Sequence, residues 1–290
     1  MEAVRNLNDD IRRRQIWTDD GIRLSLRYFG HDRAPCVVLA HGFGQTQYAW
    51  AEIGRRLSAR GWQAVSYDAR GHGESDRAPS GEYDFEHFIE DFRRVCASLP
   101  NLPVVVGASM GGLTALLGHS EKPKVDVRAL VLVDIAPSWD ERGVEAMSAF
   151  ARQHPEGFAS QEDALEQLAA FLPHRRLVGN RRELSTNLRQ TENGRWHWHW
   201  DPAMLALAER AGNLRTRLKS AGRRLKVPTL IVGSGQADAG GADPASEFFK
   251  QAGTIRHTTV PDNASGDQHD RFLATVTPFL QSISSQGDRD

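Results

Sequence analysis

The chain has 290 residues, of which 40% are hydrophobic and 25% charged, and its formal net charge is -1 at pH 7. This composition is typical of a globular protein with a large core and excludes a collagen-like or wholly disordered chain. The balanced charge provides no global field to attract nucleic acid or an anionic membrane, so we expect a small molecule as partner and neither of these.

The N-terminal segment, residues 1–17, mixes acidic and basic side chains where a secretory signal would need a continuous apolar stretch. The longest apolar runs are of strand length, so no membrane-spanning helix is expected. Cys36 and Cys96 lie in apolar stretches and are expected to be buried thiols of a reducing compartment. The sequence therefore predicts a cytoplasmic protein and makes no prediction of oligomeric state.

Short apolar, β-branched segments alternate with segments of helical period, which predicts an α/β fold. The first two strands flank Asp19-Asp20-Gly21, a hairpin signal, so the sheet is predicted to begin antiparallel and to become parallel once helices intervene. The clearest helix is predicted over residues 84–99, where apolar residues recur at helical spacing. The predicted strands are residues 15–18, 22–29, 36–40, 64–68, 104–108, 129–134, 229–233 and 254–260.

Two of these strands end in glycine-rich loops that carry a histidine. His41-Gly42-Phe43-Gly44 follows one strand, and His72 lies in the loop after the next. A loop in the first position can offer a backbone N–H, here that of Phe43, to a developing negative charge. Both histidines are predicted to hold their loops in place rather than to act in catalysis.

A third strand ends in Gly-Ala-Ser-Met-Gly, residues 107–111, which matches the G-x-S-x-G pattern ahead of an apolar helix. Flanking glycines permit a sharp, strained turn that exposes the serine hydroxyl. The start of the helix directs its amides toward the place where charge develops during acyl transfer. We therefore predict Ser109 as a nucleophile, with the amides of Phe43 and Met110 as its oxyanion hole; the alternative is a structural glycine-rich turn.

Between residues 138 and 222 the strands give way to helical segments, which indicates an inserted helical cap. The chain is thus predicted to comprise an N-terminal part of the core (1–137), the cap (138–222) and a C-terminal part of the core (223–290). The last helix is predicted from about residue 270 to residue 282.

Within the predicted cap, the segment NGRWHWHWDP begins with a tight-turn signal and continues with strict alternation. The alternation places Trp196, Trp198 and Trp200 on one face and His197 and His199 on the other. The tryptophans are predicted either to pack the cap or, at positions 196 and 198, to line an apolar substrate pocket. The two histidines lack a third ligand at recognisable spacing, so we predict neither a metal nor another cofactor.

The segments HGFGQTQYAW, YDARGHGES, GASMGG, LVLVDIAP, WHWDP and VPTLIVGSGQAD occur in this order over nearly the whole chain. Together they resemble the α/β-hydrolase fold superfamily, in its capped, single-domain branch with a serine nucleophile. The resemblance implies a mostly parallel sheet flanked by helices, with the cap inserted after the sixth strand and the pocket between cap and core. A serine at the elbow argues against the epoxide hydrolase and haloalkane dehalogenase branches, which use aspartate there.

The resemblance also suggests an acid and a base. The family's acid usually follows the penultimate core strand, which implies Asp238, while Asp134 at the end of the preceding strand is the alternative. The family's base lies after the last strand, in segments such as V-P-G-A-G-H, but VPDNASGDQHDRF has no histidine at that place. His269, at the predicted start of the last helix, is the nearest substitute; the alternatives are another histidine or no general base.

These features predict an enzyme that acts on a small, largely apolar carbonyl compound such as an ester, a lactone or an activated ketone, with Ser109 as nucleophile. Two alternatives remain open. One is a diverged member of the same fold with an incomplete triad and lyase, cyclase or isomerase chemistry, as in specialised metabolism. The other is a non-catalytic protein that binds a small molecule.

Overall fold

The computed structural model describes residues 11–135, 149–150, 152–171, 186–207, 214–233, 255–260 and 267–285. The strands are β1 Ile11–Trp17, β2 Arg23–Phe29, β3 Cys36–Ala40, β4 Gln63–Tyr67, β5 Val104–Ala108, β6 Ala129–Val133, β7 Leu188–Gln190, β8 Trp196–Trp198, β9 Thr229–Gly233 and β10 Ile255–Thr259. The α-helices are α1 Ala51–Ser58, α2 Phe85–Ala97, α3 Met110–Ser120, α4 Gln161–Phe171, α5 Leu214–Arg224 and α6 Gln268–Ser284. Short 3-10 helices cover Gln47–Trp50 and Pro202–Leu207.

In the described residues, one sheet contains eight strands in the order β1-β2-β4-β3-β5-β6-β9-β10. β1 pairs antiparallel with β2, and β2 pairs antiparallel with β4, whereas every other neighbouring pair is parallel. The predicted change from an antiparallel start to a parallel sheet is confirmed. The reason is local, because a hairpin turn joins only antiparallel strands and a helical crossover returns the chain parallel.

Two hydrophobic cores cover the two faces of this sheet. Residues of α2, α3 and α5 form one core with one face of the central strands, and residues of α1 and α6 form the other. Strand β3 is buried at every position, which explains why its sequence is a continuous apolar run rather than an alternating one. Strand β4 is equally buried, although it includes the polar residues Gln63 and Ser66. Because these strands run parallel, their carboxyl ends lie at one edge of the sheet, where ligands bind in open α/β folds.

The connection between β6 and β9 leaves the main sheet and builds a small core of its own. β7 and β8 form a separate antiparallel pair, and Phe150, Phe158 and Leu188 pack beneath it with α4. Helix α5 crosses the predicted cap boundary at residue 222 and packs on α3, where the Ser120 hydroxyl donates to the carbonyl of Ala221 (3.3 Å). The exact extent of the cap stays a prediction.

The helix predictions agree with the structure to within a turn. Asp84 accepts a 2.9 Å hydrogen bond from the amide of His87 and so caps α2 at its predicted start. The last helix begins two residues earlier than predicted, because Asp267 accepts from the amide of Asp270 (2.8 Å) and caps it. None of the helices that the structure describes combines the length and the apolar character needed to cross a membrane.

Candidate active site

Ser109 lies on the turn between β5 and α3 with an unusual backbone conformation. Its φ is 44° and its ψ is -117°, a combination that costs an L-residue on the order of 1–3 kcal/mol and persists only where the surroundings enforce it. Two hydrogen bonds enforce it here: the Ser109 amide donates to the carbonyl of Val133 (2.9 Å), and the Leu113 amide donates to the carbonyl of Ser109 (2.9 Å). The side chain is exposed at the carboxyl edge of the sheet.

Glycines surround this turn because the backbone passes too close for any side chain. A Cβ added at Gly111 would lie 2.6 Å from the carbonyl oxygen of Ala40 and 2.7 Å from that of His41. A Cβ at Gly107 would lie 2.7 Å from the Cα of Gly112. The predicted elbow geometry is therefore present, and the start of α3 reaches the loop that follows β3.

The loop after β3 lies directly beside Ser109. A Cβ added at Gly42 would be 3.5 Å from the Cβ of Ser109. The Gly42 amide donates to the side chain of Gln45 (2.9 Å), and the Gln45 amide donates back to the carbonyl of Gly42 (3.1 Å). This tight turn holds Phe43, so the structure places both predicted oxyanion donors, on Phe43 and Met110, in segments that adjoin the elbow.

His41 and His72 hold neighbouring loops through both ring nitrogens. His41 Nδ1 donates to the carbonyl of Gly42 (2.8 Å), while its Nε2 accepts from the amide of Ala69 (3.0 Å). His72 Nε2 accepts from the amide of Gly44 (3.2 Å), and its Nδ1 donates to the carbonyl of Arg70 (3.2 Å). Burial lowers the pKa of His41 to about 4 and lowers that of His72 as well, so both rings are neutral at pH 7. Their contacts agree with the predicted loop-holding role.

Asp68 is a supporting residue that the sequence reasoning missed. It is fully buried at the end of β4 and accepts three hydrogen bonds: from the amide of Gln47 (2.7 Å), from the side-chain amide of Gln47 (2.7 Å) and from the amide of Glu74 (2.9 Å). Burial raises its pKa to about 6, and these hydrogen bonds oppose the rise. Asp68 thus joins the segment after the Phe43 loop to the loop after β4. The only sequence signal was an aspartate at a strand end.

Of the two predicted acids, the structure describes Asp134. It directly follows β6 with a φ of 47°, its amide donates to the carbonyl of Val232 (2.9 Å), and its side chain is exposed. Ala108 of β5 is paired with Val133 of β6. Ser109 directly follows the first of these residues and Asp134 directly follows the second, so the two occupy equivalent positions after neighbouring strands. Asp238 lies outside the described residues, so its predicted role stays a prediction.

The predicted base, His269, lies in the first turn of α6. Its Nδ1 is 3.8 Å from a carboxylate oxygen of Asp267, and its side chain is 22% exposed. Arg56 of α1 fixes this helix end through ion pairs with Asp267 (2.7 Å) and Asp270. The Ser109 hydroxyl forms no hydrogen bond within the described part of the chain, so the structure does not join Ser109 to His269 there. The side chain of His257 lies outside the described residues.

The three tryptophans of the hairpin have different surroundings. Trp198 lies with its ring centroid 5.8 Å from that of Phe158 and 6.2 Å from that of Phe150, in the small core under β8. Trp196 also packs against that core. The pocket role predicted for positions 196 and 198 stays a prediction. Trp200 is 2% exposed, and its ring centroid lies 5.5 Å from that of Phe43. The sequence placed it with the other two and gave no sign of this contact.

The set of described side chains contains no cluster of three or more histidine, cysteine, aspartate or glutamate residues able to hold a metal ion. Cys36 and Cys96 are both free thiols. At the carboxyl edge of the sheet, the described residues present one exposed serine, Ser109, close to the backbone segments of Phe43 and Met110.

Residues 35–236 match the family model of the alpha/beta hydrolase fold. The chain belongs to this family. The match spans the Phe43 loop, the Ser109 elbow and the connection between β6 and β9, and it confirms the resemblance and the fold class drawn from the sequence motifs.

Several named relatives of this α/β-hydrolase fold protein are hydrolases. Esterase Rv0045c of Mycobacterium tuberculosis is 34% identical over 183 residues, which cover 61% of this chain and 59% of that protein. The mouse sn-1-specific diacylglycerol lipase ABHD11 is 28% identical over 265 residues, 87% of this chain and 82% of that protein. A solved structure of the M. tuberculosis esterase superposes with a TM-score of 0.73 at 28% identity, covering 93% of this chain and 91% of that one. These relatives support a hydrolase.

Proposed function

We propose that this protein is a serine hydrolase that cleaves a small, largely apolar carbonyl compound, an ester or a lactone, with Ser109 as nucleophile. The observation that carries the proposal is the backbone of Ser109. A φ of 44° at a non-glycine residue is enforced by two hydrogen bonds and by glycines without room for a Cβ. Strain of this kind is kept where it positions a functional group.

In the proposed reaction, the Ser109 oxygen attacks the carbonyl carbon of the substrate while its proton passes to a base. The negative charge that develops on the carbonyl oxygen is stabilised by the amides of Phe43 and Met110. The alcohol then leaves with a proton, and water hydrolyses the acyl-enzyme to release the acid and regenerate Ser109. We assign the base to His269 and its acid partner to Asp238, with Asp134 as the alternative acid.

The substrate is proposed to bind between the carboxyl edge of the main sheet and the segment 138–222, which would act as a cap. Trp196 and Trp198 are part-buried in that segment and would supply apolar pocket surface. The esterase and lipase relatives favour an ester as the carbonyl compound.

A second function, without an acyl-enzyme, is favoured by two observations. The Ser109 hydroxyl has no hydrogen-bond partner among the described residues, and the last-strand loop lacks the histidine expected there. A pocket with two oxyanion donors and no working base would polarise a carbonyl group for lyase, cyclase or isomerase chemistry instead.

Fluorophosphonate labelling followed by intact-mass measurement distinguishes the two functions, because this probe reacts with an activated serine. Under the proposed function the wild type gains one phosphonyl group, whereas Ser109→Ala and His269→Ala do not. Ser98→Ala at the end of α2 and His31→Ala are the matched controls, and both should label like the wild type. A folded wild type that fails to label contradicts the serine hydrolase and favours the second function.

A further inference from the structure

Trp200 packs on the loop that carries the proposed oxyanion donor Phe43. The two ring centroids lie 5.5 Å apart with an angle of 48° between the planes, and Trp200 is 2% exposed. Its indole also faces Gly44, where an added Cβ would lie 3.7 Å from both Cδ1 and Nε1 of the ring. One side chain from the connection between β6 and β9 therefore covers two successive residues of the loop.

Asp201 anchors Trp200 to the core of the protein. The Asp201 amide donates to the carbonyl of Gly71 (2.8 Å), and its carboxylate accepts from the hydroxyl of Tyr83 (2.8 Å). Tyr83 is 1% exposed and accepts in turn from the amide of Ala78 (2.9 Å). Trp200 is thus joined through Asp201 to buried parts of the core, and not to the hairpin alone.

Among the described residues, His72 also packs on the Phe43 loop. Phe43 packs edge-on against His72 (6.0 Å between centroids), while the amide of Gly44 donates to that same ring. His72 and Trp200 are therefore two buried side chains, from separate loops, that contact Phe43. The first is part of the core, and the second arrives from the connection between β6 and β9.

We propose that Trp200 is a positioning residue for the oxyanion hole: its packing on Phe43 and Gly44 sets the direction of the Phe43 amide, and Asp201 sets the place of Trp200. This inference rests on the proposed function. Oxyanion donors act only when they point at the oxygen as charge develops, so a loop free to tilt loses transition-state stabilisation more than substrate binding. The connection between β6 and β9 thereby controls the rate at Ser109 without touching the reacting atoms.

The test measures the second-order rate constant of fluorophosphonate labelling, together with kcat and KM for p-nitrophenyl butyrate. For Trp200→Leu we expect the labelling rate and kcat to fall about 10- to 100-fold. This decrease is no larger than the decrease in rate on removal of a whole oxyanion donor. KM should stay within about 3-fold of the wild-type value. Trp200→Phe keeps an aromatic ring on the loop and should recover most of the rate. Tyr83→Phe removes a hydrogen bond from Asp201 and should give an intermediate loss.

Trp62→Leu is the matched control, because Trp62 is a similarly buried tryptophan (6% exposed) in the core on the other face of the sheet. It should lower the free energy of unfolding without changing the labelling rate. The inference is overturned if folded Trp200→Leu reacts like the wild type, if its defect is in KM alone, or if Trp62→Leu loses as much rate. Should Trp200→Leu fail to fold, wild-type rates in both Tyr83→Phe and Trp200→Met overturn it. A wild type that does not label at all refutes the proposed function itself, and this inference with it.

Discussion

The amide of Ser109 donates a 2.9 Å hydrogen bond to the carbonyl oxygen of Val133, which fixes the turn after β5 to the end of β6. Asp134, the residue that directly follows β6, has a φ of 47°, close to the 44° of Ser109. Among the described residues, these two are the non-glycine positions with positive φ. Backbone strain is therefore concentrated at one edge of the sheet, where the proposed chemistry takes place.

Replacement of Ser109 is expected to separate stability from activity. Ser109→Gly removes the steric cost of a Cβ at positive φ, so this variant should be about 1 kcal/mol more stable than Ser109→Ala. Both variants should lose ester hydrolysis by several orders of magnitude, because neither has a nucleophile. Urea unfolding of the two variants checks the first expectation, and equal free energies of unfolding would show that the turn is not strained.

Gly111→Ala is expected to damage both fold and labelling. Its Cβ would lie 2.6 Å from the carbonyl oxygen of Ala40, and neither backbone can move without displacing the elbow or the Phe43 loop. We expect a loss of about 1–3 kcal/mol in the free energy of unfolding, together with loss of fluorophosphonate labelling.

Gly61→Ala provides the control for this substitution. Gly61 has a φ of 84°, but an added Cβ would meet nothing within 4 Å. It should cost only the backbone strain, about 1 kcal/mol, and leave labelling intact. Equal labelling defects in the two variants would show that a general loss of stability, rather than the close approach of two loops, is responsible.

Stability is expected to fall as the pH drops from about 6.5 toward 4. Burial lowers the pKa of His41 to about 4, from about 6.5 in the unfolded chain. Between these values the unfolded chain binds a proton that the folded chain does not, so stability present above pH 6.5 is lost on acidification. The loss from His41 approaches roughly 3 kcal/mol. Unfolding curves at pH 7, 5.5 and 4.5 should be less pH-dependent in His41→Gln; an unchanged dependence would contradict the assignment.

Asp68 acts in the opposite direction. Burial raises its pKa to about 6, from 3.8 in the unfolded chain. Between these two pH values the folded chain holds a proton that the unfolded chain has released. The contribution of Asp68 to the free energy of unfolding is fully present below about pH 4 and is lost as the pH rises through 6. Asp68→Asn should therefore make the loss of stability on acidification steeper than in the wild type. A shallower pH profile in this variant would refute the raised pKa.

Arg70→Met is expected to be strongly destabilising. Arg70 and Asp91 are 2% and 1% exposed, and two hydrogen bonds of 2.6 and 2.7 Å join the guanidinium to the carboxylate. Removal of Arg70 leaves a buried, unpaired carboxylate, which typically costs about 3–5 kcal/mol. Thermal unfolding should show that Arg70→Met/Asp91→Leu regains most of this stability.

The partly buried pair of Arg23 and Asp76 is the comparison. Its side chains are 35% and 34% exposed, so Arg23→Met should cost under about 1 kcal/mol. If Arg70→Met and Arg23→Met lowered the free energy of unfolding by the same amount, burial would not determine how much each ion pair contributes to stability.

Local patterns in the sequence determined the secondary structure and the elbow. The strands β3, β5 and β6 are apolar, β-branched runs bounded by turn residues, and α2 has its apolar stripe and its capping Asp84 within one segment. The G-x-S-x-G pattern around Ser109 was equally readable, although the contact that excludes a side chain at Gly111 is with Ala40 and His41, far away in the sequence. For the strands and for α2 the physical cause lies between neighbours in the chain, so the sequence alone displays it.

Only the tertiary structure decided which side chains support that elbow. Trp200 was indistinguishable by alternation from Trp196 and Trp198, yet it alone of the three lies against Phe43, a residue far away in the sequence. Asp68 became a buried acceptor because two loops close over the end of β4. Such contacts depend on how separate segments pack together, and no pattern of period 2 or 3.6 in one segment encodes a partner in another.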